Sequence, residues 1–270
     1  MSILRVLCAG GMTLILACVC ALARPAAAKT TDTSDLWWIP AESGWGIQFV
    51  QQEDTLFATM FVYGSDGRPT WYTATLDFVD PASFTWNGTL YATTGPWFGT
   101  VPFSSAQVTV TPVGKMTFTP LRINQATLTY DVSGVQVVKT IQRQTLVTLN
   151  FNGTYAATLA QQGSGTGCTP GRDSPGTPAS IQITQSNGAM GIVAKTAADS
   201  CTYLGSYTQG GHFGQVSGSY ACVSGDSGTF AMAEMAVSWY DFRARTFMSS
   251  DTGCTLKGFV SGLRQPPPPQ

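Results

Sequence analysis

The sequence predicts an all-β protein: two antiparallel meander domains, each a small barrel or sandwich, behind an N-terminal signal peptide. Three observations carry this. Short segments of two-residue alternation recur between turn residues, as at Trp45, Ile47 and Phe49 against Gln48. Charged residues make up only 11% of the chain, against the usual quarter or so, and Thr, Ser, Gln, Asn and Gly supply the polarity instead. That composition favours strands and turns over helices. No stretch of the N-terminal half holds a helical period.

Residues 1–28 read as the signal. Arg5 is the charge of a short n-region, an apolar stretch runs from Val6 to Leu22, and Ala26-Ala27-Ala28 precedes Lys29 with the small-x-small form of a cleavage site. The apolar run is short for a bilayer span. Ile15-Leu16-Ala17-Cys18 loosely resembles a lipobox, so lipid anchoring at Cys18 is the alternative to a free exported protein, periplasmic or extracellular. No later run is long enough for a transmembrane helix, and the terminal Pro266-Pro267-Pro268-Pro269-Gln270 is unsuited to the closing strand of a membrane barrel.

Residues 35–146 hold six of the seven tryptophans and no cysteine, whereas residues 149–264 hold Cys168, Cys201, Cys222 and Cys254. This contrast places a boundary at 145–148 and predicts a Trp-rich barrel-like domain followed by a disulfide-bonded one. In the first, strands are expected at 45–52, 55–63, 70–77, 83–92, 107–113, 115–119, 126–132 and 135–143, with a turn at Gly64-Ser65-Asp66-Gly67-Arg68-Pro69. Asn87-Gly88 and Asn152-Gly153 are expected as turns. In the second domain a Gly–hydroxyl–aromatic motif recurs at Gly153, Gly205, Gly218 and Gly228, and suggests rings lying over bare glycine backbone on a neighbouring strand. Pairing 201–208 with 213–222 about Gly211-His212 sets Cys201 against Cys222, Tyr203 against Tyr220 and Gly205 against Gly218. Directly opposed residues lie within disulfide reach, so Cys201–Cys222 is expected and Cys168–Cys254 follows by elimination. Residues 160–179 are expected to form a long loop, and the tail 265–270 to be disordered.

Charge narrows the function. Without Arg5 and Arg24 the chain carries 12 basic residues against 15 acidic, with no basic patch, which argues against nucleic acid as a partner. Gly225-Asp226-Ser227-Gly228 resembles the nucleophile loop of trypsin-like proteases. The sole histidine, His212, lies fifteen residues before Ser227 with no separate acid between them, so the segment reads as a turn. Wide cysteine spacing and one histidine argue against zinc, and no metal or cofactor is expected. Glu42 and Glu234 are the remaining catalytic candidates, as a carboxylate pair, but lie in different halves.

The tryptophans are the strongest functional signal, because flat aromatic faces stack on sugars and line apolar pockets. Trp45 and Trp71 alternate inside strands and are expected in the core. Trp37, Trp38 and Trp97 lie in predicted loops beside Pro40 and Pro96 and are the expected ligand-binding residues.

Leu36-Trp37-Trp38-Ile39-Pro40-Ala41-Glu42-Ser43-Gly44-Trp45-Gly46, followed by Thr55-Leu56-Phe57-Ala58-Thr59 and Asp66-Gly67-Arg68-Pro69-Thr70-Trp71 and continuing through Thr94-Gly95-Pro96, resembles a recurrent Trp-rich module of exported bacterial proteins. The resemblance spans roughly residues 36–143, and the C-terminal half is similar to segments that accompany the module. It implies export and a β fold, and no particular activity. Some members resemble accessory domains beside secreted hydrolases. The short Gly153-Thr154-Tyr155 resembles the start of calycin barrels. The expectation is therefore an exported, non-enzymatic binding protein for a glycan or small apolar ligand. The alternatives are an envelope interaction module, acting as accessory factor or inhibitor, and a carboxylate-dependent hydrolase.

Overall fold

The computed structural model describes residues 32–80, 82–168 and 174–266. The predicted signal, and the tail beyond Pro266, lie outside the described residues. Two closed, eight-stranded antiparallel barrels follow one another along the chain, each strand pairing with its sequence neighbours and the last with the first. The first comprises β1 (Asp35–Trp38), β2 (Gly46–Gln52), β3 (Thr55–Tyr63), β4 (Pro69–Asp80), β5 (Thr85–Thr94), β6 (Thr109–Arg122), β7 (Gln125–Val132) and β8 (Val135–Arg143). The second comprises β9 (Gly153–Ser164), β10 (Ser174–Ser186), β11 (Ala189–Lys195), β12 (Ser200–Gly210), β13 (Phe213–Cys222), β14 (Ser227–Val237), β15 (Asp241–Ser250) and β16 (Thr255–Arg264). No helix among the described residues is long and apolar enough to cross a membrane.

Alternation sets the inside. Ile47 and Phe49 of β2, Leu56, Ala58 and Met60 of β3 and Ala74 and Leu76 of β4 are all buried, and the residues between them face out. Trp37, Phe49 and Trp86 surround Phe118 at centroid distances of 5.3, 4.4 and 6.1 Å. Both indoles are satisfied on main chain, Trp37 Nε1 donating to the Thr33 carbonyl and Trp86 Nε1 to that of Asp54, each at 3.1 Å. The second interior is tyrosine-rich, with Tyr203 stacked on Tyr220 and Tyr155 edge-on to Phe242. A cavity there of about 20 Å³ holds one water at most. The first interior is filled by side chains, its buried members at 0–1% exposure, and the second is packed somewhat less closely, with members at up to 9%.

The hairpin of β12 and β13 has the register deduced from the sequence: Cys201 opposes Cys222, Tyr203 Tyr220 and Gly205 Gly218. The disulfides are Cys201–Cys222 and Cys168–Cys254, with Cα separations of 3.9 and 4.6 Å. They are compatible with an oxidising compartment.

Several details differ from expectation. β1 is a strand, not a loop. The stretches 107–113 and 115–119 form the single strand β6, because Gly114 does not turn the chain. It lets the main chain pass so close to the Asp131 carbonyl that a Cβ has no room. Asn87-Gly88 lies inside β5 for the same reason: a Cβ on Gly88 meets the Thr75 carbonyl. The loop expected at 160–179 is shorter, since β9 runs to Ser164 and β10 begins at Ser174. Gly163 and Ser164 pair with Leu256 and Thr255 despite their loop-like composition. At Gly205, Gly218 and Gly228 the neighbour that excludes a Cβ is also a main-chain carbonyl, not a ring. The ring-over-glycine arrangement occurs elsewhere, with Phe61 over Gly46 and Tyr207 over Gly214.

Candidate functional site

Strand direction alternates, so each barrel has two sets of connections. The entry to β1, the β6–β7 turn at Ile123-Asn124 and the exit from β8 share one end of the first barrel. That end meets the β12–β13 turn, Gly211-His212, of the second. Arg143, the last residue of β8, is the pin. Its guanidinium donates to the carbonyls of Ile123, Ser34 and Asp32 at 2.5, 2.9 and 2.7 Å and to Asp35 Oδ2 at 3.1 Å. It lies 4.7 Å from the Trp37 ring and 5.2 Å from the Phe213 ring, one from each barrel. Its side chain is 1% exposed, and burial pulls its pKa down while the hydrogen bond and charge of Asp35 push it back up.

Asp35 closes the joint. Its Oδ2 accepts from His212 Nδ1 at 2.8 Å and from the His212 backbone N–H at 3.2 Å. Burial, the largest single influence, pushes the carboxyl pKa up. The hydrogen bonds from His212 and Arg143 together outweigh it and hold the group below its usual value. The connecting residues 144–152 are tied down too. Gln144 N–H donates to the Leu36 carbonyl, Gly211 N–H to Thr145 Oγ1, and Gln209 Nε2 to the carbonyls of Val147 and Gly211. Gln209 Oε1 accepts from Leu149 N–H. Beside these pins lies a polar cleft of about 220 Å³, lined by Trp38, Asn124, Gln142, Arg143, Thr145, Gln209 and Gly210.

A second feature lies on the outer surface of the first barrel. Phe61 and Trp71 oppose each other across β3 and β4, and the next row pairs Thr59 with Thr73. Phe57, Phe61, Tyr63 and Trp71 are all exposed, Trp71 by 52%. Gln48 opposes Thr59 from β2 and extends the polar row. The β5–β6 connection, at the end remote from the second barrel, carries Trp97, Phe98 and Val101, the last two 89% and 91% exposed.

The three tryptophans expected to bind ligand therefore part company. Trp37 is corrected to a core residue, 1% exposed inside β1. Trp38, its neighbour on the strand, points the opposite way and lines the cleft. Trp97 is exposed at the far end, its ring 5.2 Å from that of Phe98. Trp71, expected inside, is outside. Trp45 is half-buried against the core, its Nε1 donating to Glu42 Oε2 at 2.9 Å.

The catalytic candidates are also dispersed. His212 precedes β13, and Ser227 lies beside Ala221 near the other end of that strand, nine residues on and roughly 30 Å away at about 3.3 Å per residue. Ser227 Oγ donates to Asp251, not to a histidine. Glu42 is paired with Lys139, and hydrogen bonds from Lys139 and Trp45 lower its pKa, the reverse of what a general acid needs. Glu234, held at φ +52° in β14, pairs with Arg245 at 3.0 Å. Asp199, Cys201 and Cys222 bring ligand atoms within 4.8 Å, but both sulfurs are spent in the disulfide.

Comparison with protein-family models gives no match, and comparison with characterised proteins gives none either. Phe61, Tyr63, Asn124 and Gln142 were not singled out by sequence. The available signal was the apolar character of both faces of β3, where Phe57, Phe61 and Tyr63 alternate with Leu56, Ala58 and Met60.

Proposed function

We propose that this chain is an exported, non-enzymatic glycan-binding protein that holds its ligand on the outer aromatic face of the first barrel. The observation that carries this reading is the exposed Phe61–Trp71 pair, with Tyr63 beyond it and the Thr59–Thr73 row beside it. Rings offer stacking faces, and adjoining hydroxyls offer hydrogen bonds to sugar. The filled interior of the first barrel argues against a small apolar ligand held inside it. Retention on insoluble cell-wall polysaccharides tests the reading. Wild-type protein is expected to be retained, and Trp71→Ala and Tyr63→Ala to elute early. Absence of retention across peptidoglycan, chitin, cellulose and β-glucan would refute it.

A second reading, an envelope protein-interaction module, draws on the protruding Trp97, Phe98 and Val101. Exposed aromatic rings, tryptophan above all, are the side chains that anchor protein contacts.

A further inference from the structure

Trp38 and Gln142 are direct cross-strand partners of β1 and β8, and both line the cleft between the barrels. Asn124, from the β6–β7 turn, contributes to the lining, as do Gln209 and Gly210 of β12. The cleft thus takes residues from both barrels, and its shape is fixed by the pins around it.

Most of its polar groups are already spent. Arg143 directs its N–H groups at three carbonyls and Asp35. Gln209 spends both ends of its amide on the connecting segment. Thr145 Oγ1 accepts from Gly211. The Thr145 hydroxyl keeps its own proton to donate, and the side-chain amides of Asn124 and Gln142 have no hydrogen-bond partner among the described residues, each offering a donor and an acceptor. Trp38 adds a half-buried aromatic wall. Its indole N–H is buried without a partner.

Charge decides the ligand class. The only cation lining the cleft is Arg143, neutralised by Asp35, and Asp32 and His212 stand next to that pair. No spare positive charge is left to hold an anion. The complement is a small neutral molecule with hydroxyl or amide groups on one side and a C–H face on the other. We propose that the cleft is a separate binding site for one neutral monosaccharide unit, stacked on Trp38 and hydrogen-bonded to Asn124 and Gln142. The site shares no residue with the outer aromatic face and does not rest on that reading.

The test uses ¹⁵N-labelled protein lacking only the predicted signal, titrated with glucose and N-acetylglucosamine. The readout is the Trp38 indole N–H resonance, assigned by its loss in Trp38→Phe. A saturable shift is expected with at least one sugar, and much weaker binding of glucuronate. Gln142→Ala removes an exposed side chain and should weaken binding about fivefold, the worth of one ordinary hydrogen bond, with Asn124→Ala as a second variant. Trp239→Ala, at an exposed residue outside both proposed sites, should leave the affinity unchanged. The proposal is overturned by no saturable shift with either sugar, by binding that persists at full strength in both amide variants, by loss of the shift in Trp239→Ala, or by glucuronate binding as tightly.

Discussion

The carboxylate of Asp35 occupies the space where a side chain on Gly211 would have to stand, so one barrel is seated on the bare backbone of the other. Gly211 is also held at φ +61°, which an L side chain adopts at a cost. Gly211→Ala therefore combines local strain with displacement of the acid that grips His212 and Arg143. A loss of roughly 1–3 kcal/mol is expected from the strain alone, and more once the joint opens. Gly67, at φ +75° with nothing within 4 Å, is the control. Gly67→Ala carries the strain without the clash, and urea denaturation of the two variants should separate the contributions.

Asp35 also makes the joint sensitive to acid. Its folded pKa is lowered, so its contribution is present above the unfolded carboxyl value, about 3.9, and is lost as pH falls through the folded value below that. Melting temperature should fall as pH drops below about 4, and Asp35→Asn should flatten that part of the curve. At neutral pH the same variant leaves the buried Arg143 without its anion, at a cost of about 3 kcal/mol.

The two disulfides should differ in weight. Cys168–Cys254 spans 86 residues and Cys201–Cys222 spans 21. Loop-closure entropy gives the longer bridge about 1 kcal/mol more. The paired serine variants Cys168→Ser/Cys254→Ser and Cys201→Ser/Cys222→Ser, compared by chemical denaturation, should rank in that order. The hairpin of the shorter bridge retains its ten-residue ladder without the bond.

What the sequence made legible was local. In residues 201–222 one register satisfies two cysteines, two tyrosines and two glycines, and a one-residue slip breaks all three pairs and puts every side chain on the wrong face. The tryptophans lacked such a check. Trp37 and Trp38 are consecutive and so cannot both face out of one strand, but a four-residue strand before Pro40 has too few positions to show its phase. In β4, Trp71 is flanked by Thr70, Tyr72 and Thr73, residues that suit either face, and nothing local distinguishes outside from inside. The cleft was illegible for another reason. Trp38, Asn124, Gln142 and Gln209 are ordinary polar or aromatic residues far apart in sequence, joined only by barrel closure and by the contact between barrels.

Placing Trp71 outside and Trp86 inside gives a direct separation of stability from function. Trp86 is 1% exposed, packed on Phe78 and Phe118, with its indole bonded to the Asp54 carbonyl. Trp86→Ala should cost about 3–5 kcal/mol through the cavity it leaves. Trp71 is 52% exposed, and its removal should shift stability by no more than about 0.5 kcal/mol, the range of ordinary surface changes. If the outer face binds glycan, Trp71→Ala loses retention on polysaccharide at an unchanged melting temperature. A Trp71 variant that melts early and a Trp86 variant that does not would reverse the inside–outside assignment on which the proposed binding face depends.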